Sequence, residues 1–166
     1  MHIPGTKTEI NQIQDLAQAR RIPNMATIDR VQEAMQKCQW AHFACHGVQD
    51  VTRPTASALL LAGGSRLTLS DIIQLALPHA DFAFLSACQT ATGDEKLQEE
   101  SVHLAAGMLL AGYRGVIATM WTIMDQDAPQ VTKDTSPPDP TKAAEALHFA
   151  VQKLLERYPL KSFLHW

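Results

Sequence analysis

Apolar and polar positions along this chain switch between a helical period and short continuous runs of strand length. Ile10, Ile13 and Leu16 recur at helical spacing after Thr8, so residues 9–20 read as a helix, and Pro23 breaks the pattern. Thr27 can cap a second helix in which Ile28, Val31, Met35 and Cys38 share one face. The run WAHFACHG (40–47) follows directly, and helix-then-strand order suits a parallel sheet. After a polar connection over 47–56, SALLL and RLTL flank Ala62-Gly63-Gly64-Ser65, which is the pattern of a β-hairpin. A short helix is expected from Ser70, with Asp71 in its first turn and Pro78 as its stop.

The second half repeats the theme. The run from Phe82 to Ser86 predicts a strand leading to Cys88, and QTATGDEKLQEE after it reads as a surface loop. SVHLAAGMLLAG is helical, with Val102, Ala105 and Leu109 on one stripe and Gly112 as its C-terminal stop. GVIATMW is a third strand that runs into Asp125 and Asp127, and SPPDP (136–140) is a rigid turn before a last helix from Thr141 to about Glu156. The element order predicts the α/β class: a three-layer α/β/α sandwich with a mainly parallel sheet. The stop at Trp166 reads as a chain cut before its last strand.

Composition narrows the function classes. At 166 residues the chain is long enough for one domain with a substantial core. A net charge of −3 offers no basic footprint for nucleic acid. No apolar run approaches the ~18 residues needed to span a bilayer, and the N-terminus lacks the apolar core of a signal peptide. Three cysteines, Cys38, Cys45 and Cys88, form an odd set without a disulfide spacing, which fits a reducing, cytoplasmic compartment.

Two of the strand-like runs end at reactive side chains: His46, followed by Gly47, and Cys88. Parallel neighbours in an open α/β sheet end at the same edge, where such sheets build their sites. An imidazole beside a thiol is the smallest nucleophile-plus-base pair, because the thiolate attacks and the imidazole favours it. The backbone N–H groups of Gly47 and Cys88 are then natural oxyanion donors. A histidine after an apolar run also serves structure in many proteins, and a cysteine ending a strand is often plain core. A zinc site built from Cys38, His42, Cys45 and His46 is disfavoured, since on a strand Cys45 faces away from His42 and His46. His42 itself, about 13 Å from His46 along a strand, reads as a satisfied buried histidine. Asp50 could orient His46 or simply be a solvated loop acid. Asp125 and Asp127 follow the third strand at the same edge and would favour a basic substrate side chain, unless they are solvated loop carboxylates. Gly63-Gly64 lacks the flanking residues of a phosphate loop, and neither a metal nor a cofactor is expected.

HFACHG, LSACQTATG and AAGMLLAGYRGVIATMWTIMDQD together resemble the CHAT domain, a relative of caspases and separase. The resemblance runs over 4–166 and covers the later part of such a domain, so it implies a caspase-like fold incomplete at both ends. It implies a His–Cys dyad of His46 and Cys88, an oxyanion hole at the Gly47 and Cys88 backbone, and Asp125, with Asp127 beside it, receiving a basic residue before the scissile bond. Residues 128–141 are a shortened, proline-rich connection where the family has a full helix. CHAT domains are often joined to regulatory helical repeats, and this chain carries none. The function implied is a cysteine-type endopeptidase acting on a protein or peptide through an acyl-enzyme. The alternative is a catalytically inactive regulatory or interaction module of the same shape; the intact His46 and Cys88 pair favours the enzyme.

Overall fold

The computed structural model describes residues 26–48, 50, 52–89, 101–118 and 139–157, together with residues 11, 131, 133 and 134. Helix α1, Ile28–Lys37, begins after Thr27, whose extended backbone turns the chain into the helix while its carbonyl accepts the Val31 N–H at 3.1 Å. Val31 and Met35, one turn apart, are its buried residues. Strand β1, Trp40–Val48, follows. The hairpin expected around Gly63-Gly64 is present: β2, Ala58–Leu60, pairs antiparallel with β3, Arg66–Thr68. Its turn needs two residues with φ near +75°, and the two glycines supply φ values of +73° and +79° without steric cost.

Helix α2, Leu69–Gln74, starts one residue earlier than the pattern predicted. Thr68, not Ser70, caps it: the Thr68 hydroxyl accepts the Asp71 N–H at 3.1 Å, and the Asp71 carboxylate accepts the Thr68 N–H at 3.0 Å. This reciprocal box satisfies two N-terminal donors at once, with Asp71 in the first turn as expected. The helix also ends at Gln74, ahead of Pro78, with Ala76 beyond it at φ +46°. Strand β4 is Phe82–Gln89, helix α3 is Ser101–Ala111, and strand β5 is Gly115–Ala118.

The five strands form one mixed sheet in the order β3-β2-β1-β4-β5. β1 pairs parallel with β4, and β4 with β5, as the three apolar runs predicted. The hairpin adds two antiparallel pairings on the other side of β1, which makes the sheet mixed where a mainly parallel one was expected. Alternate residues divide between its faces. Phe43, Ala83, Leu85, Leu59 and Leu67 share one core with Val31 and Met35 of α1, Leu69 and Ile72 of α2, and Leu104 and Met108 of α3. Phe82, Phe84 and Ile117 alternate with that set and are also buried, so both faces of the central strands carry buried side chains.

Among the residues of helix α3 whose burial is described, Leu104, Gly107, Met108 and Ala111 are buried, whereas Leu109, placed on one stripe with Val102 and Ala105, is 50% exposed and Leu110 is 72% exposed; the Val102 side chain lies outside the described residues. The helix is apolar almost all round, so periodicity alone could not choose its inner face. Gly107 lets it lie against Leu69 of α2, where a Cβ would come within 2.5 Å of the Leu69 side chain.

The chain divides into two units, Ile22–Trp121 and a second made of Met1–Arg21 with Thr122–Trp166. The sheet and α1–α3 belong to the first. In the second, a 3-10 turn Pro140–Lys142 leads into helix α4, Ala143–Arg157, close to the predicted span. Asp139 starts it by accepting the Thr141 N–H and hydroxyl, and Lys153 pairs with Asp134 at 3.1 Å. Of the helix predicted over 9–20, only residue 11 is described, and it is helical. Among the described residues no helix is long and apolar enough to cross a membrane.

Candidate functional site

The two reactive positions meet through strand register. Eight consecutive Cα pairs align β1 with β4, from Trp40 opposite Phe82 to Gly47 opposite Gln89, and His46 stands opposite Cys88. Neighbouring strands lie about 4.8 Å apart, so the pairing sets these two backbones side by side at the C-terminal end of the parallel strands. Positions 46 and 88 also share one face, because parallel partners in register have the same parity. It is the face opposite the one that carries Phe43 and Leu85.

That face reads as a row of pairs. Trp40 meets Phe82 edge-on at 5.8 Å between ring centroids, His42 stacks on Phe84 at 4.9 Å with the planes 14° apart, Ala44 stands opposite Ser86, and His46 opposite Cys88. His42 is thus an aromatic packing partner of Phe84, two rungs below His46. His46 is half-buried, and its Nδ1 is wholly buried with no hydrogen-bond partner among the described residues. A buried ring nitrogen without a partner costs free energy, on the order of 1–3 kcal/mol, and such orphans call for an explanation.

Both strands run further than the apolar runs implied. β1 continues past His46 to Val48 because the hairpin returns alongside it: His46 lies opposite Leu60, Gly47 opposite Leu59 and Val48 opposite Ala58. β4 includes Cys88 and ends at Gln89, so the candidate nucleophile lies in the last rungs of the strand and not in the loop beyond it. Gly47, proposed as an oxyanion donor from its place after the strand, is a buried strand residue between β2 and β4.

Asp50 does not act on His46. Its carboxylate organises its own loop, with Oδ1 accepting the Thr52 N–H at 3.1 Å, the Thr52 hydroxyl at 2.7 Å and the Arg53 N–H at 2.9 Å, while Oδ2 accepts from the Arg53 guanidinium at 3.2 Å. The Thr52 hydroxyl and then the Arg53 backbone hold this carboxyl below its ordinary value. Cys45 packs against the core on the face opposite His42 and His46, so the tetrahedral set weighed above does not converge. Among the described residues no three His, Cys, Asp or Glu side chains are grouped to hold a metal ion. Asp125, Asp127 and the loop after Gln89 lie outside the described residues.

The sequence reading missed Ser57. It is 1% exposed, and its hydroxyl accepts the N–H of Asp50 at 3.0 Å, closing the loop that leaves β1. No local pattern marks this residue, because its partner is seven positions away across a loop.

A search of curated proteins by sequence finds no match. The CHAT domain family model matches residues 1–166, the whole chain. With its mixed α/β sheet and a histidine and cysteine in register at the end of adjacent parallel strands, this chain belongs to the CHAT domain family and is a caspase-like, peptidase-related domain.

Proposed function

We propose that this domain is a cysteine endopeptidase with His46 and Cys88 as its dyad. The observation that carries the reading is the Cα register of His46 with Cys88 on parallel strands, at a histidine whose buried Nδ1 has no partner among the described residues. In this reaction the imidazole takes the thiol proton and the sulfur attacks a peptide carbonyl carbon, forming a C–S bond. The oxyanion is held by backbone N–H groups, with Cys88 and Gly47 as the donors proposed. Protonated His46 then gives its proton to the departing amine as the C–N bond breaks, and a water molecule deprotonated by His46 hydrolyses the thioester. Asp125, with Asp127 beside it, would receive a basic residue before the scissile bond through a bidentate contact with Arg. The substrate is a protein or peptide, regulated access is supplied by helical-repeat partner domains, and a reducing cytoplasmic compartment keeps Cys88 a thiol.

The test is labelling with a thiol-reactive peptide carrying Arg next to its warhead, mapped by mass spectrometry. Wild type should be labelled at Cys88 ahead of the half-buried Cys38 and Cys45. Both Cys88→Ala and His46→Ala should lose that labelling. Equal labelling of wild type and His46→Ala would favour the inactive interaction module instead.

A further inference from the structure

We propose that Ser57 is a positioning residue for His46, acting as the clamp that fixes where β1 leaves the sheet. The proposal rests on the dyad reading above and adds to it the element that holds the histidine's strand. All three polar groups of Ser57 are engaged with different parts of the chain. Its N–H donates to the Pro54 carbonyl at 3.1 Å, its carbonyl accepts the Leu69 N–H at the start of α2 at 2.8 Å, and its hydroxyl accepts the Asp50 N–H at 3.0 Å. The residue is 1% exposed, so water cannot replace any of these bonds.

The geometry makes a closed neck. Val48 pairs with Ala58, the residue after Ser57, and two residues beyond Val48 the Asp50 N–H meets the Ser57 hydroxyl. His46 lies two residues inside that neck, opposite Leu60 on one side and Cys88 on the other. Beyond the neck, the Asp50 carboxylate holds Thr52 and Arg53, and Ser57 ties the Asp50 N–H to the start of α2. Without the hydroxyl, the Asp50 N–H loses this buried acceptor, and with it the tie from the end of β1 to Ser57. A shift of about 1 Å in a reacting group can lower a rate by about a hundredfold, so an anchor at this point bears on chemistry as well as on stability.

The experiment measures the rate of Cys88 alkylation by iodoacetamide against pH in wild type, Ser57→Ala, Ser57→Thr and His46→Ala, with thermal unfolding in parallel. A thiol supported by an imidazole titrates below the ordinary value of about 8.5. Wild type should show that depressed inflection, and His46→Ala should lose it. Ser57→Ala should move it part of the way back, with alkylation at neutral pH slowed about fivefold on the scale of such thiolate shifts. Ser57→Thr keeps the accepting hydroxyl and should retain the wild-type inflection. Should Ser57→Ala prove too unstable, Asp50→Pro removes the N–H that the Ser57 hydroxyl accepts and should move the inflection in the same direction. An inflection that moves in His46→Ala but not in Ser57→Ala or Asp50→Pro overturns the clamp and leaves the dyad standing. A wild-type inflection at the ordinary thiol value, unmoved by His46→Ala, overturns both.

Discussion

The two ends of the parallel strands are built on opposite plans. Where β1, β4 and β5 begin, the backbone is tied off: the N–H groups of Asp81 and Phe82 both donate to the Gln39 carbonyl, and those of Arg114 and Gly115 to the Asp81 carbonyl. Tyr113 lies at this end, 2% exposed, and its buried hydroxyl has no partner among the described residues. Where the strands finish, His46 stands opposite Cys88 with its Nδ1 in the same condition. The anomaly is the same and its meaning differs. Tyr113 belongs to the core of α1, α2 and α3, where burial, with a smaller contribution from Cys38, pushes its phenol well above the ordinary value. An orphaned polar atom does not by itself mark a site, since Tyr113 also has a thiol, Cys38, near it; what sets His46 apart is its register with Cys88 at the C-terminal end of the parallel strands, the basis of the dyad proposed above.

The sharpest way to break this contrast is to delete both orphans. His46→Ala should slow probe labelling of Cys88 by roughly 10²–10⁴-fold, the usual worth of a general base, with an unfolding midpoint close to wild type. Tyr113→Phe should leave labelling unchanged; a comparable loss there would erase the distinction between the ends.

Stability should respond at the opening end. Gly112 has φ +121°, and a Cβ on it would lie 2.3 Å from the Leu77 carbonyl oxygen, whose own residue donates its N–H to the Ala111 carbonyl at 2.7 Å. Gly112→Ala should therefore destabilise the fold by about 3 kcal/mol, from backbone strain plus the displaced neighbour. Urea unfolding checks this, and a loss below about 1 kcal/mol would mean that the approach of α3 to Leu77 relaxes freely.

A smaller effect of opposite sign is expected from Tyr113→Phe, which removes a buried hydroxyl without breaking a bond and should stabilise by about 1 kcal/mol. Its pH dependence sharpens the point. Because the phenol's folded value is raised, the unfolded chain loses the proton first, so wild-type stability falls as pH rises above about 10. Tyr113→Phe should lack that part of the alkaline loss in denaturation curves collected across this range.

The smallest effect belongs to the Asp50 loop at the site end. The carboxyl is held low, so its contribution is present above the unfolded value of about 3.9 and is lost as pH falls through the lower folded value. Thr52→Val removes the hydroxyl that donates to the Asp50 carboxylate and should raise the Asp50 titration followed by NMR. An unchanged titration would show that the backbone donors and the Arg53 guanidinium set it.

Much of this architecture was legible in local pattern. The apolar runs marked β1, β4 and β5, the paired glycines marked the hairpin, and Val31 and Met35 marked the inner face of α1, because side-chain period and turn conformation are properties of neighbouring residues. The Thr68–Asp71 box is also written locally, in TLSD. The residue types at 46 and 88 suggested the chemistry proposed. Their pairing was decided elsewhere. A slip of one residue between β1 and β4 would turn one position to the other face, and what specifies the register is the shared burial of Phe43, Ala83 and Leu85 against three helices far apart in sequence. The same nonlocal packing chose the inner side of α3, whose apolar surface offered no preference, and carried β1 on to Val48, where Ala58 was waiting to pair. Sequence alone determined which side chains could react and which segments would be strands. The tertiary structure decided which of them stand opposite one another, because strand pairing is settled by contacts that no local window contains.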